Sequence, residues 1–169
     1  MWGGADCATS YLYEHIPAID NLARDGTAEI SAKSIGSVAA QTGKKLVLTE
    51  TFGCSGYGVT PKELKLIADK QYVYGVDLMC QHLYNYTFSK LGKIDCPPSF
   101  GRIMPWKSFY KSFNDYFSKL GYMIANSEEK TEVAVVTPME SIYLDYLRLS
   151  EDKSRTEVDV PFIGLLSEL

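Results

Sequence analysis

The sequence is poor in the residues that most often announce a function. It has two histidines and four cysteines; Cys7, Cys54, Cys80 and Cys96 lie far apart and form no Cys-x-x-Cys pair. A zinc site needs a tight ligand cluster, so no metal is expected. Such spacing reads as reduced, mostly buried thiols rather than a disulfide framework. Basic charge is scarce too: 17 Lys and Arg against 21 Asp and Glu leave a net charge of −4, and Lys44-Lys45 is the densest pair. Phosphate binding needs concentrated cations, so nucleic acid is not an expected partner. No apolar run approaches the roughly 20 residues of a membrane span. The opening residues Met1 to Asp6 show neither the basic nor the apolar region of a secretory signal. The chain therefore reads as cytoplasmic, with no membrane partner.

What is present points to a folded domain. At 169 residues, 46% hydrophobic and 22% charged, the chain is long enough to bury a core. Twelve Tyr, seven Phe and two Trp are its most distinctive content. Aromatic rings fill cores, but they also line pockets that accept the flat apolar faces of sugars.

Periodicity predicts alternating helices and strands. Ala32, Ile35, Val38, Ala39 and Thr42 share one helical face, with Ser31 as a cap and Gly43 just past the end. Leu46 to Glu50 follows as a short apolar strand, of the kind buried on both faces of a parallel sheet. Thr60-Pro61-Lys62-Glu63 is a capping box with proline in the first helical position. That helix carries Leu64, Ile67, Ala68 and Gln71 inward and ends at Gly75. Val76 to Cys80 is a second strand, delivering Gln81 and His82 at its end. A long polar connection, Thr87 to Pro105, leads to an amphipathic helix from Trp106 to Ala125. Glu132 to Pro138 reads as a third buried strand, and helices follow at Ser141 to Leu149 and Pro161 to Leu169. The pattern is α/β with parallel pairing.

Ligands bind at the carboxyl ends of parallel strands. Glu50 ends one strand, and Gln81 and His82 end the next, so these are the candidate site residues, with Glu50 as the carboxylate at the edge of a low-dielectric core. His15 reads as structural. The glycines of Gly53-Cys54-Ser55-Gly56-Tyr57-Gly58 match neither phosphate-binding frame and suit a loop bent over a pocket. A phosphate or nucleotide site at this loop is the third-ranked function.

The stretch from Ser34 to Gly53, with Gly43-Lys44-Lys45 leading into Leu46-Val47-Leu48-Thr49-Glu50-Thr51-Phe52-Gly53, resembles a helix–strand unit of large glycoside hydrolases, those similar to α-L-rhamnosidases and family 2-like enzymes. Gly75 to His82 resembles the next strand of their barrel, with Asp77 in place of the frequent Asn. Pro97-Pro98-Ser99-Phe100 and Pro105-Trp106 resemble the substrate-side loop that follows, with Lys107 in place of a second Trp. The likeness runs from about Ser34 to Pro138.

It implies an α/β fold made of the C-terminal portion of a (β/α)8 TIM barrel, residues 1–130. Residues 131–169 would open a flavodoxin-like domain similar to the trimerisation domain of some β-galactosidases. It implies a carbohydrate substrate and no cofactor. Glu50 matches the catalytic carboxylate, nucleophile or general base, and His82, Gln81 and Trp106 match positions near the sugar. Tyr57 and Tyr84 join them as expected substrate contacts. Glycoside hydrolysis needs a second carboxyl group as acid. That group is expected outside this chain, Asp6 being a poor candidate, and the chain alone is expected to be inactive. The rest of the barrel or a second copy is the expected partner. The competing reading is a non-catalytic carbohydrate-binding or assembly module.

Overall fold

The computed structural model describes residues 6–24, 28–89, 96–145 and 159–168. The chain divides into two units, residues 8–129 and residues 1–7 with 130–169. The first unit alternates helix and strand: α1 (Cys7–Tyr11), β1 (Ala18–Asn21), α2 (Ala28–Thr42), β2 (Leu48–Thr51), α3 (Pro61–Val73), β3 (Leu78–Gln81) and, after a 3-10 turn at Lys107–Phe109, α4 (Tyr110–Ala125).

Local chemistry sets most of these boundaries. Thr60 caps α3: its hydroxyl accepts from the Glu63 amide at 3.3 Å, and the Glu63 carboxylate accepts from the Thr60 amide at 2.7 Å. Gly43 and Gly75 follow α2 and α3 with φ of +70° and +99°, left-handed values that favour glycine and halt a helix. Helix α2 begins three residues before Ser31, so that serine lies inside the helix rather than capping it.

The three strands form one parallel sheet in the order β1-β2-β3. Its rows align Ala18 with Leu48 and Leu78, and Asp20 with Glu50 and Cys80. Strand side chains alternate between faces. Ile19, Asn21, Thr49 and Thr51 are buried on the helix-covered face. On the opposite face Ala18, Asp20, Leu78 and Cys80 are exposed, and Leu48 and Glu50 are half-buried. The core between sheet and helices holds Ile19, Ile35, Phe52, Leu64, Val76 and Phe117. At its centre the buried Gln71 amide donates to the Thr51 hydroxyl at 3.0 Å, and its carbonyl accepts from the Thr49 hydroxyl at 2.5 Å.

Four expectations require correction. The sheet is a three-stranded open layer with one face uncovered, so its strands are not buried on both faces. Among the described residues there is no (β/α)8 barrel and no start of a flavodoxin-like domain; the fold is a small α/β domain. The segment 132–137 forms no strand: Val133, Val135 and Val136 are 67%, 38% and 86% exposed, because β-branched residues alone do not make a strand without a ladder partner. Cys7, Cys54 and Cys80 are exposed rather than buried. The missing third strand is replaced by β1, which lies before α2.

The second unit contains α5 (Met139–Asp145) and α6 (Asp159–Glu168). The part of the expected Ser141–Leu149 helix beyond Asp145, and the charged stretch 150–158, lie outside the described residues. No helix among the described residues is long and apolar enough to cross a membrane.

Two glycines permit close packing. A Cβ at Gly36 would lie 2.3 Å from the Tyr74 carbonyl oxygen, and one at Gly121 would lie 2.1 Å from that of Asp77. The expected loss for Gly121→Ala is about 2 kcal/mol or more, the scale of core overpacking. Gly164→Ala, where nothing lies within 4 Å, should be neutral or slightly stabilising. Urea unfolding compares the two, and equal effects would contradict the packing.

Asp77 adds a pH dependence. Its carboxylate accepts from the Val47 amide at 3.0 Å, but burial, the larger influence, pushes its pKa above the usual carboxylate value. Ionising it therefore opposes folding. The stability it contributes is complete below the unfolded carboxylate pKa and is lost as pH rises through the higher folded one. Asp77→Asn keeps an acceptor oxygen and removes this titration. Thermal melts should show the variant more stable than the natural chain near neutral pH, with the gain vanishing in acid.

Candidate functional site

Because all three strands run in one direction, their carboxyl ends form a common rim, and the loops that leave it are stitched together. The Ala23 amide donates to the Gly53 carbonyl at 2.7 Å, the Cys54 amide to that of Cys96 at 3.4 Å and the Gly56 amide to that of Pro97 at 3.1 Å. Arg24 reaches across with Nε to the Ser55 carbonyl at 2.7 Å and with its guanidinium to the Glu63 carboxylate at 2.8 Å. The His82 amide donates to the Thr51 carbonyl at 2.9 Å, and Leu83 and Phe100 pair through the Phe100 amide at 3.0 Å.

The glycine loop is thereby explained without phosphate. Amides that a phosphate would need at Cys54, Ser55, Gly56 and Val59 all donate to backbone carbonyls. Phe52 and Cys54 have φ of +79° and +63°, values a bulky side chain adopts only when its surroundings compel it. At Phe52 the compulsion is visible. The turn sends its ring into the helix-covered core, 5.7 Å from the Phe100 ring and 6.2 Å from Phe113.

Glu50 sits on the uncovered face of β2, half-buried, in register between Asp20 and Cys80. Its carboxylate makes no hydrogen bond or ion pair among the described residues. His82 lies just beyond β3, beside the next residue of the β2 loop: a Cβ at Gly53 would come 3.4 Å from the imidazole Cγ and 3.6 Å from Nδ1. That Nδ1 is buried and has no hydrogen-bond partner among the described residues.

Gln81 alternates to the other face. Its amide donates to the Asn114 carbonyl at 2.8 Å, and its carbonyl accepts from the Tyr110 hydroxyl at 3.0 Å, so its polar atoms hold α4 against β3. Trp106 is half-buried among Phe100, Tyr110 and Phe113, each with its ring centre 6.2 Å away. Tyr57 is 45% exposed on the glycine loop, and Tyr84 is 70% exposed on the loop after β3. The structure thus brings Glu50 and His82 to one rim and sets Gln81 and Trp106 into the helix-side packing.

Asp20 and Arg24 are the rim residues that sequence reasoning missed. Pro17 followed by the alternation Ala18-Ile19-Asp20-Asn21 is the signal that could have marked their strand. Among the described residues no three His, Cys, Asp or Glu side chains gather to hold a metal ion.

A protein of Formosa agariphila named "Putative beta-glucuronidase" is 28% identical to this chain over 112 residues, covering 63% of the chain. This chain spans about a tenth of that protein's length, 10%. No family model matches the chain, and no solved structure matches it.

If Gln81 ties helix to strand, Gln81→Met should lower stability by about 1 kcal/mol, the scale of the hydrogen bonds it loses to the half-buried Tyr110 and Asn114. Chemical denaturation measures this. An unchanged midpoint would show that the amide is not structural.

Proposed function

We propose that this chain is part of a glycoside hydrolase and that Glu50 is its nucleophile or general base. The observation that carries the reading is the placement of Glu50: a half-buried carboxylate at the carboxyl end of a parallel strand, on the more exposed face of the sheet, two residue rows from His82. Similarity to the Formosa agariphila protein supports the same class of chemistry. Two carboxyl groups must flank a scissile glycosidic bond, one protonating the leaving oxygen while the other attacks the anomeric carbon or activates water. Glu50 supplies the second role, and the acid comes from outside this chain, from the rest of the natural protein or a second copy. His82 orients the sugar through its imidazole.

The exposure of Tyr57 and Tyr84 favours a second reading, in which the rim holds carbohydrate without cleaving it. One substitution separates the two. In the full natural-length protein, Glu50→Gln keeps the shape and removes the anion. Turnover of aryl glycosides should fall on the order of a thousandfold or more, with the circular dichroism spectrum unchanged. Unaltered turnover would remove Glu50 from the mechanism. Sugar binding with no hydrolysis by the unsubstituted protein would establish the binding module instead.

A further inference from the structure

Two of the four cysteines meet at the rim. Cys54 lies on the loop after β2, and Cys96 lies far along the chain, ahead of α4. Yet the Cys54 amide donates to the Cys96 carbonyl at 3.4 Å, and the Gly56 amide to the Pro97 carbonyl at 3.1 Å. Two such bonds lay the segments side by side, and backbones joined in this way run about 5 Å apart. A disulfide requires a Cα separation of about 4.4–6.8 Å, so the spacing at this crossing falls within its range. Both thiols are reduced in this structure; Cys54 is exposed and Cys96 half-buried.

The crossing is held by bonds that involve neither sulfur. The Gly53 carbonyl accepts from the Ala23 amide at 2.7 Å and the Ser55 carbonyl from Arg24 Nε at 2.7 Å, so both neighbours of Cys54 are pinned. Beyond Cys96, the Pro98 carbonyl accepts from the Leu83 amide at 3.4 Å. Groups at the two ends of a flexible segment meet at about millimolar effective concentration. Fixing both backbones raises that value.

We propose that Cys54 and Cys96 form a reversible disulfide, a redox-controlled staple that locks the glycine loop to the segment ahead of α4. The oxidant is a small disulfide, with oxidised glutathione as the probe. The exposed Cys54 thiolate attacks one glutathione sulfur, which breaks the glutathione S–S bond and releases one glutathione thiolate. The Cys96 thiolate then attacks the Cys54 sulfur of the mixed disulfide and releases the second. One protein disulfide forms, one glutathione disulfide is reduced, and the two protons lost by the cysteines end on the two glutathione thiols. The staple restrains the loop that carries Tyr57 and requires nothing of Glu50, so it stands apart from the glycosidase reading.

The test equilibrates the full natural-length protein with glutathione redox buffers, then alkylates it and digests it with trypsin without reductant. Cleavage after Lys45, Lys62, Lys93 and Arg102 isolates the two cysteines in separate peptides, 46–62 and 94–102. Mass spectrometry should find these peptides linked. The exchange equilibrium constant should be about tenfold or more above that of the same protein unfolded in urea, because folding raises the effective concentration. Cys54→Ser should abolish the linkage and Cys80→Ser should leave it intact. Amide exchange at Gly56 should be slower in the oxidised protein and recover with dithiothreitol. Glutathione adducts with no linked peptide, a linkage no more favourable folded than unfolded, or one lost in Cys80→Ser overturns the proposal.

Discussion

The grip of Gln71 on β2 fixes the geometry on which the rest depends. One side-chain amide from α3 takes the hydroxyls of Thr49 and Thr51 and, through the same nitrogen, the Ile67 carbonyl at 3.1 Å. All three side chains are buried, and a buried polar group without a partner costs roughly 1–3 kcal/mol, so a one-residue slip of the strand would be penalised three times over. Alternation does the remainder. With Thr49 and Thr51 held toward the helices, Glu50 is obliged to leave by the other face.

The same logic explains why some elements were legible in the sequence and others were not. The capping box at Thr60 and the glycines ending α2 and α3 are local signals, and each fell where its chemistry required. Helix α4 was readable from its aromatic spacing, although Trp106 stands before the helix in a turn. Strand β1 has four residues and a single large apolar side chain, Ile19. Its existence depends on a ladder with β2 that no local pattern encodes. The valines at 133, 135 and 136 show the converse, high strand propensity with no neighbour to pair with and exposed side chains. The barrel inferred from resemblance required strands that the described residues do not contain.

The positions of Glu50 and His82 at the rim were legible because each follows a short apolar run that becomes a strand of a parallel sheet. The partition of Gln81 from His82 was not, since it follows from sheet parity and from where α4 packs. Asp20 went unseen with its strand. Arg24 went unseen because it belongs to an irregular segment, where sequence gives residue order but not which side chains converge.

The stitching of the rim has a consequence for motion. Loops that each hang from a single strand open one at a time, but here the amides of Ala23, Cys54 and Gly56 all donate to carbonyls of a different loop. Releasing one removes a partner from another, so the three crossings form one cooperative unit for local opening. Deuterium uptake at these three amides would then proceed at a shared rate.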